Sequence, residues 1–131
     1  MLRRNDIRKI AKARLKDAQA LFGARRYDGA VYLCGYAVEL GLKCRICRSL
    51  KWDAFPSTQN EFGNYKTFKT HNLDVLLHLS GEESKIKTDF LAEWSAVAEW
   101  DPEVRYNPSG IISRSDAQAM ITATTALLRV L

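Results

Sequence analysis

Histidine, proline and cysteine are scarce in this 131-residue chain, which has 2 His, 3 Pro and 3 Cys. No HExxH pattern, glycine-rich phosphate loop or serine nucleophile elbow occurs, so the common zinc-protease, P-loop and hydrolase chemistries find no motif. Long apolar runs are missing as well. The longest candidates are broken by Glu39, Lys43 or Arg45 and fall short of the ~18–20 residues a membrane span needs. The basic N-terminus, MLRRNDIRKIAKAR, is followed by no apolar signal core and carries Asp6, so no secretion signal is read. An odd number of cysteines fits a reducing compartment, and a cytoplasmic location is the expectation. Low-complexity segments and internal repeats are absent.

What is present suits one globular domain spanning 1–131, with 47% hydrophobic and 27% charged residues. The charge is uneven: residues 1–52 hold 13 Lys/Arg against 4 Asp/Glu, whereas 53–131 hold 7 against 11. Such asymmetry fits a basic face that meets a polyanion, or acidic and basic surfaces that meet in an oligomer.

Apolar periodicity predicts a first helix over about 5–22. Ile7, Ile10, Ala11, Leu15, Ala18, Leu21 and Phe22 share one arc, and Arg8, Lys9, Lys12 and Lys16 form the opposite, basic surface. Arg14 falls inside the apolar arc. GARRYDG makes a turn, with Asp28 as N-cap of a second helix over 29–50. That helix has no clearly polar face and should be buried all round; Gly35 and Gly41 would permit close approach by a neighbour. Residues 51–70 form a long connection with Trp52, Phe55, Phe62, Tyr65 and Phe68, read as a flap pinned by its aromatics, with a short strand possible at NYKTFKT. A short third helix over 72–79 begins at a Thr70 or Asn72 cap and ends at Gly81. A fourth runs over 82–100, stopped by Asp101-Pro102, and a fifth starts at a Ser115–Gln118 capping-box pattern. The expected fold is an all-α, up-and-down four- or five-helix bundle with one long aromatic-rich crossover loop.

Within GYAVELGLKCRICR, residues 35–48, the Cys44–Cys47 pair fits CxxC but lies near the C-terminal end of its helix, the wrong end to lower a thiol pKa. Cys34, three turns upstream, cannot join the pair, so core-filling thiols are expected and no metal site. Glu39 and Lys43 stand one turn apart on a stripe with Tyr32 and Tyr36, a polar seam down an otherwise buried helix. A charge there needs a partner, and an arginine is expected to hold Glu39: Arg105 first, Arg14 second. His71 is expected to help cap the third helix or pack on the flap, and His78 to face outward.

These residues carry a resemblance. LKDAQALFGARRYDGAVYLCGYAVELGLKCRI resembles the first two helices of the HEPN domain, with Ala37, Glu39 and Lys43 in the place of its A-x-E-x-x-x-K core. KTHNLDVLL at 69–77 resembles the family's Thr-His-x-Leu start of a short third helix, and Arg105-Tyr106 its Arg-Tyr link into the last helix. The likeness runs over about 7–131.

The resemblance implies a HEPN-like bundle, and a homodimer is expected because the second helix is too apolar for one layer of neighbours and the acidic and basic halves complement each other. The resemblance also implies binding of RNA, a nucleotide or a protein partner such as a small nucleotidyltransferase, with no cofactor. Glu39, Lys43, His71, Arg105 and Tyr106 would form the site region. Many members are RNases, often toxins of toxin–antitoxin systems, that use an Arg-x4–6-His motif. For His71 the arginine would stand at Asn64, Tyr65 or Lys66; for His78, at His71, Asn72 or Leu73; after Arg105 the histidine would stand at Gly110, Ile111 or Ile112. The motif is absent, so a non-catalytic binding module is expected, the alternative being an RNase with a displaced site using Arg105 with His71 or Lys66.

Overall fold

A computed structural model describes residues 1–131. The order is β1 (Leu2–Arg3), α1 (Arg4–Gly23), α2 (Tyr27–Leu50), β2 (Ala54–Phe55), α3 (Gln59–Phe62), a 3-10 segment (Gly63–Phe68), α4 (Leu73–Ser80), α5 (Glu83–Asp89), α6 (Leu91–Val97), a second 3-10 segment (Pro102–Tyr106) and α7 (Arg114–Val130). The fold is an all-α helical bundle, as its apolar periodicity implies. No helix is long and apolar enough to cross a membrane.

The central element is α2, which packs against α1, α4, α7 and the second 3-10 segment. Ala30, Cys34, Ala37, Val38, Leu42, Ile46 and Cys47 are each fully buried, so most of the apolar surface of α2 is covered within one chain, and Leu50 at its end stays exposed. Both glycines serve close approach. A β-carbon on Gly35 would lie 2.1 Å from the Trp100 ring, and one on Gly41 would lie 2.7 Å from Leu128 of α7. The neighbour at Gly35 is thus an indole from the link after α6, laid flat on the helix backbone.

Several boundaries differ from the sequence reading. Asp28 is not an N-cap: it lies inside the first turn of α2, and its carboxylate accepts from the Gly110 and Ile112 backbone N–H groups at 2.5 and 3.2 Å, tying the last link to the helix start. The helix expected over 82–100 is two helices, because Phe90 takes φ −131° and ψ 34° and the chain turns there. With the turn, Ile86, Trp94 and Val97 are buried in the core and α6 lies against α7. NYKTFKT is not a strand; all but its last two residues lie in the first 3-10 segment, and the strand pairing is Leu2 with Phe55 and Arg3 with Ala54, antiparallel. The last helix is capped by Ser113, whose hydroxyl accepts from the Asp116 N–H, rather than starting at Ser115. Asn72 caps α4 by accepting from the Val75 N–H, and Gly81 closes it at φ 78°, a conformation that costs glycine little.

The flap is pinned by its aromatics. Trp52 meets Phe68 at 5.1 Å and Tyr65 at 5.2 Å between ring centres, and fully buried Phe55 carries Phe62 and Phe68 edge-on.

Candidate functional site

The polar seam of α2 opens on a cavity of about 380 Å³ lined by Tyr32, Tyr36, Glu39, His71, Trp100, Asp101, Pro102, Glu103 and Arg105. Four stretches of chain build it. Helical spacing puts Tyr32, Tyr36 and Glu39 on one side of α2. The segment before α4 brings His71, the link after α6 brings Trp100, and the second 3-10 segment, started by Pro102 and the Asp101 side chain accepting from the Glu103 N–H, brings Arg105.

Glu39 is 2% exposed and both its oxygens are engaged. Lys43 Nζ donates to Oε2 at 3.0 Å, and His71 Nδ1 lies 2.8 Å from Oε1. The arginine expectation is therefore corrected. Arg14 is half-buried on α1 and pairs with Asp17 at 3.0 Å, and Arg105 stands over the Tyr106 ring, 4.8 Å from its centre. The physical reason is reach: Lys43 sits one turn away on the same helix, and the chain leaving the flap sets His71 beside the carboxylate before an arginine can approach. Lys43 is held from its other side by Phe55, whose ring centre is 5.4 Å from Nζ.

A carboxylate only accepts, so His71 donates through Nδ1 and its Nε2 is left free. The His71 side chain is 65% exposed, while its anchor is buried. His71 is not the cap of α4, since Asn72 is. His78 faces outward near Glu83, as its position on the short helix implied. Tyr106 is 70% exposed and belongs to the site only as the ring under Arg105. Tyr106 first and Tyr32 second favour the charged form of Arg105 through their hydroxyl oxygens.

Tyr32 and Trp100 form one aromatic wall, with ring centres 6.1 Å apart. The Trp100 indole N–H is buried and has no acceptor in the protein. Neither Trp100, fixed by its seat on Gly35, nor the acidic rim of Asp101 and Glu103 was foreseen as part of the site. The only local signal was the Asp101-Pro102 helix stop beside a tryptophan.

The three thiols are free and buried. Burial pushes Cys34 and Cys47 up to about 11 and raises Cys44 as well, so all three stay protonated near neutrality. No group of three or more His, Cys, Asp or Glu is arranged to hold a metal ion. The basic stripe of α1 divides: Arg8 and Lys12 turn toward α2 and α7, Lys9 lines a groove with Arg3, Arg4 and Asp53, and Lys16 is exposed alone.

Comparison with family models, with curated proteins and with solved structures found no match.

Proposed function

We propose that this chain is a HEPN-like binding module that takes a nucleobase of single-stranded RNA, or of a nucleotide, in the Tyr32–Trp100–Arg105 cavity. One observation carries the reading: three aromatic rings, a free histidine nitrogen and an arginine converge on a cavity of about 380 Å³. Its size is at the lower end for small-molecule pockets and suits a base with part of its sugar. Aromatic faces stack any base, while the Asp101 and Glu103 carboxylates can accept from exocyclic amino groups. Those acids disfavour a phosphate inside the cavity, so the backbone would pass outside, beside Arg105.

Two further proposals are association as a homodimer and, from the HEPN resemblance, pairing with a small nucleotidyltransferase. Because most of the apolar surface of α2 is covered within one chain, a dimer would draw on other surfaces, such as exposed Val75 and Leu91. Light scattering at tens of micromolar tests the first proposal, and co-purification of the two chains the second.

The test of binding is fluorescence anisotropy with a short, mixed-sequence RNA. Tyr36→Ala is expected to weaken binding by about 5- to 100-fold, the usual worth of one base stack. Equal affinity for wild type and Tyr36→Ala would overturn the reading.

A second reading, cleavage of RNA, is favoured by the hydrogen bond from His71 to buried Glu39 beside Arg105. His71 Nε2 would take the proton of a ribose 2′-hydroxyl as its oxygen attacks phosphorus. The bond to the 5′-oxygen breaks, that oxygen is protonated by water, and Arg105 offsets the charge on the phosphoryl oxygens. Release of 2′,3′-cyclic phosphate ends by wild type but not by His71→Ala would establish it; intact RNA with both would remove it.

A further inference from the structure

On a different side of α2, away from the aromatic cavity and sharing no residue with it, lies a second cavity of about 220 Å³. It sits where α1, α2 and α7 meet. Its lining brings together Arg8, Lys12, Arg45, Arg48 and Arg129, and includes no Asp or Glu. From the geometry we infer that this cavity binds a di- or triphosphate group.

Charge and size argue for that class together. Glu82 answers Arg45 at 2.6 Å, and the Leu131 carbonyl accepts from Arg48 at 3.0 Å. A free carboxylate on Leu131 would add one negative charge, which with Glu82 offsets two of the five cations; Arg8, Lys12 and Arg129 have no Asp or Glu partner. The Arg45 Nε–H is buried and unpartnered, a donor placed out of water with nothing to receive it. Cations drawn from three helices repel one another, and one carboxylate would neutralise only one of them. A group with several charges and many acceptor oxygens answers them together, and guanidinium forks match phosphate oxygens in pairs. At about 220 Å³ the space is below the range for drug-sized ligands, which favours the phosphate chain over a whole nucleotide. Gly41 keeps one wall open, since a side chain there would push on Leu128. The positive field is felt by Cys44: burial raises its thiol, and Arg48 and Arg8 pull it back down.

The inference stands apart from the base-binding reading and is tested by titration calorimetry of the full chain with sodium tripolyphosphate in low salt. Saturable one-to-one binding is expected. Lys12→Ala/Arg129→Ala, two exposed positions, should weaken it about tenfold or more. Lys9→Ala/Lys16→Ala removes the same charge outside the cavity and should change affinity less than about twofold. No saturable heat, equal losses from the two pairs, or equal displacement by a short oligoglutamate would each overturn the assignment. Two RNA probes separate the sources of the phosphate. Preference for a 5′-triphosphate end over a 5′-hydroxyl end supports an end-group ligand, and displacement of tripolyphosphate by both alike supports backbone phosphates.

Discussion

Replacing Lys43 by Met removes the charge that answers Glu39 while keeping an unbranched side chain against the Phe55 ring. At 3.0 Å and an effective dielectric near 20, the Lys43–Glu39 attraction is about 5 kcal/mol before desolvation is counted. The carboxylate is 2% exposed and the lysine side chain 14%, so water cannot take over the role of the lost ammonium. His71 still donates one hydrogen bond, but its side chain is 65% exposed and an exposed partner is worth about 0–1 kcal/mol. The expected net cost is about 3 kcal/mol, the lower end for breaking a buried pair. For 131 residues that corresponds to a fall in Tm of about 10 °C. His71→Ala should lower Tm by about 3 °C or less. In a double-mutant cycle, Glu39→Gln should recover about 2 kcal/mol of the Lys43→Met loss, because a neutral amide no longer needs the ammonium. Calorimetric melts read all four proteins. If Lys43→Met melted within about 1 °C of Lys16→Met, an exposed control, the buried-pair argument would be refuted.

Three other outcomes follow from the packing. Gly35→Ala should cost about 1–3 kcal/mol and displace Trp100, read as lost stability together with a changed near-ultraviolet circular dichroism signal; an unchanged signal would contradict the stacked seat. Asp28→Ala should cost about 1–2 kcal/mol and speed amide exchange at Gly110 and Ile112, while exchange elsewhere in the link serves as control. With Cys34 and Cys47 pushed up to about 11, the folded chain keeps two protons that the unfolded chain releases near pH 9, so the thiols' contribution to stability should be constant below pH 9 and fall between about pH 9 and 11. Replacing both thiols by Ala should flatten that fall in denaturant titrations, and an unchanged slope would contradict it.

What was legible in the sequence is what depends on neighbours along the chain. Helix periodicity, the Asn72 and Gly81 ends of α4, the Glu39–Lys43 pair and the aromatic flap all follow from spacings of a few residues. The crossover loop's pinning was readable because five aromatics in twenty positions have little else to pack on. The second partner of Glu39 was not. His71 lies 32 residues away, at the end of an irregular stretch whose path is set by Phe55 and Phe68 docking. Charge and side-chain length favour arginine over it at the level of sequence. The break at Phe90 was hidden because Ile86, Phe90, Trp94 and Val97 also fit one straight helix; the packing of α6 on α7 decided otherwise. The two cavities were half legible: α2 supplied its seam and α1 its stripe, but Trp100 over Gly35 and Arg129 beside Lys12 arise only where segments cross.

The chain's three tryptophans give a direct test of the central claim, that bases bind in the α2 cavity. The Trp94 indole N–H donates to Asp74 at 3.0 Å, Trp52 sits in the aromatic flap, and the Trp100 indole lines the cavity with its N–H unpartnered. Each gives its own indole cross-peak in a ¹H–¹⁵N correlation spectrum, assigned through Trp→Phe variants at 52 and 94. During titration with a short single-stranded RNA, the Trp100 peak is expected to move saturably while the other two hold still. A Trp100 peak that stays fixed while RNA binds, or while the Trp52 peak moves in its place, would contradict the account.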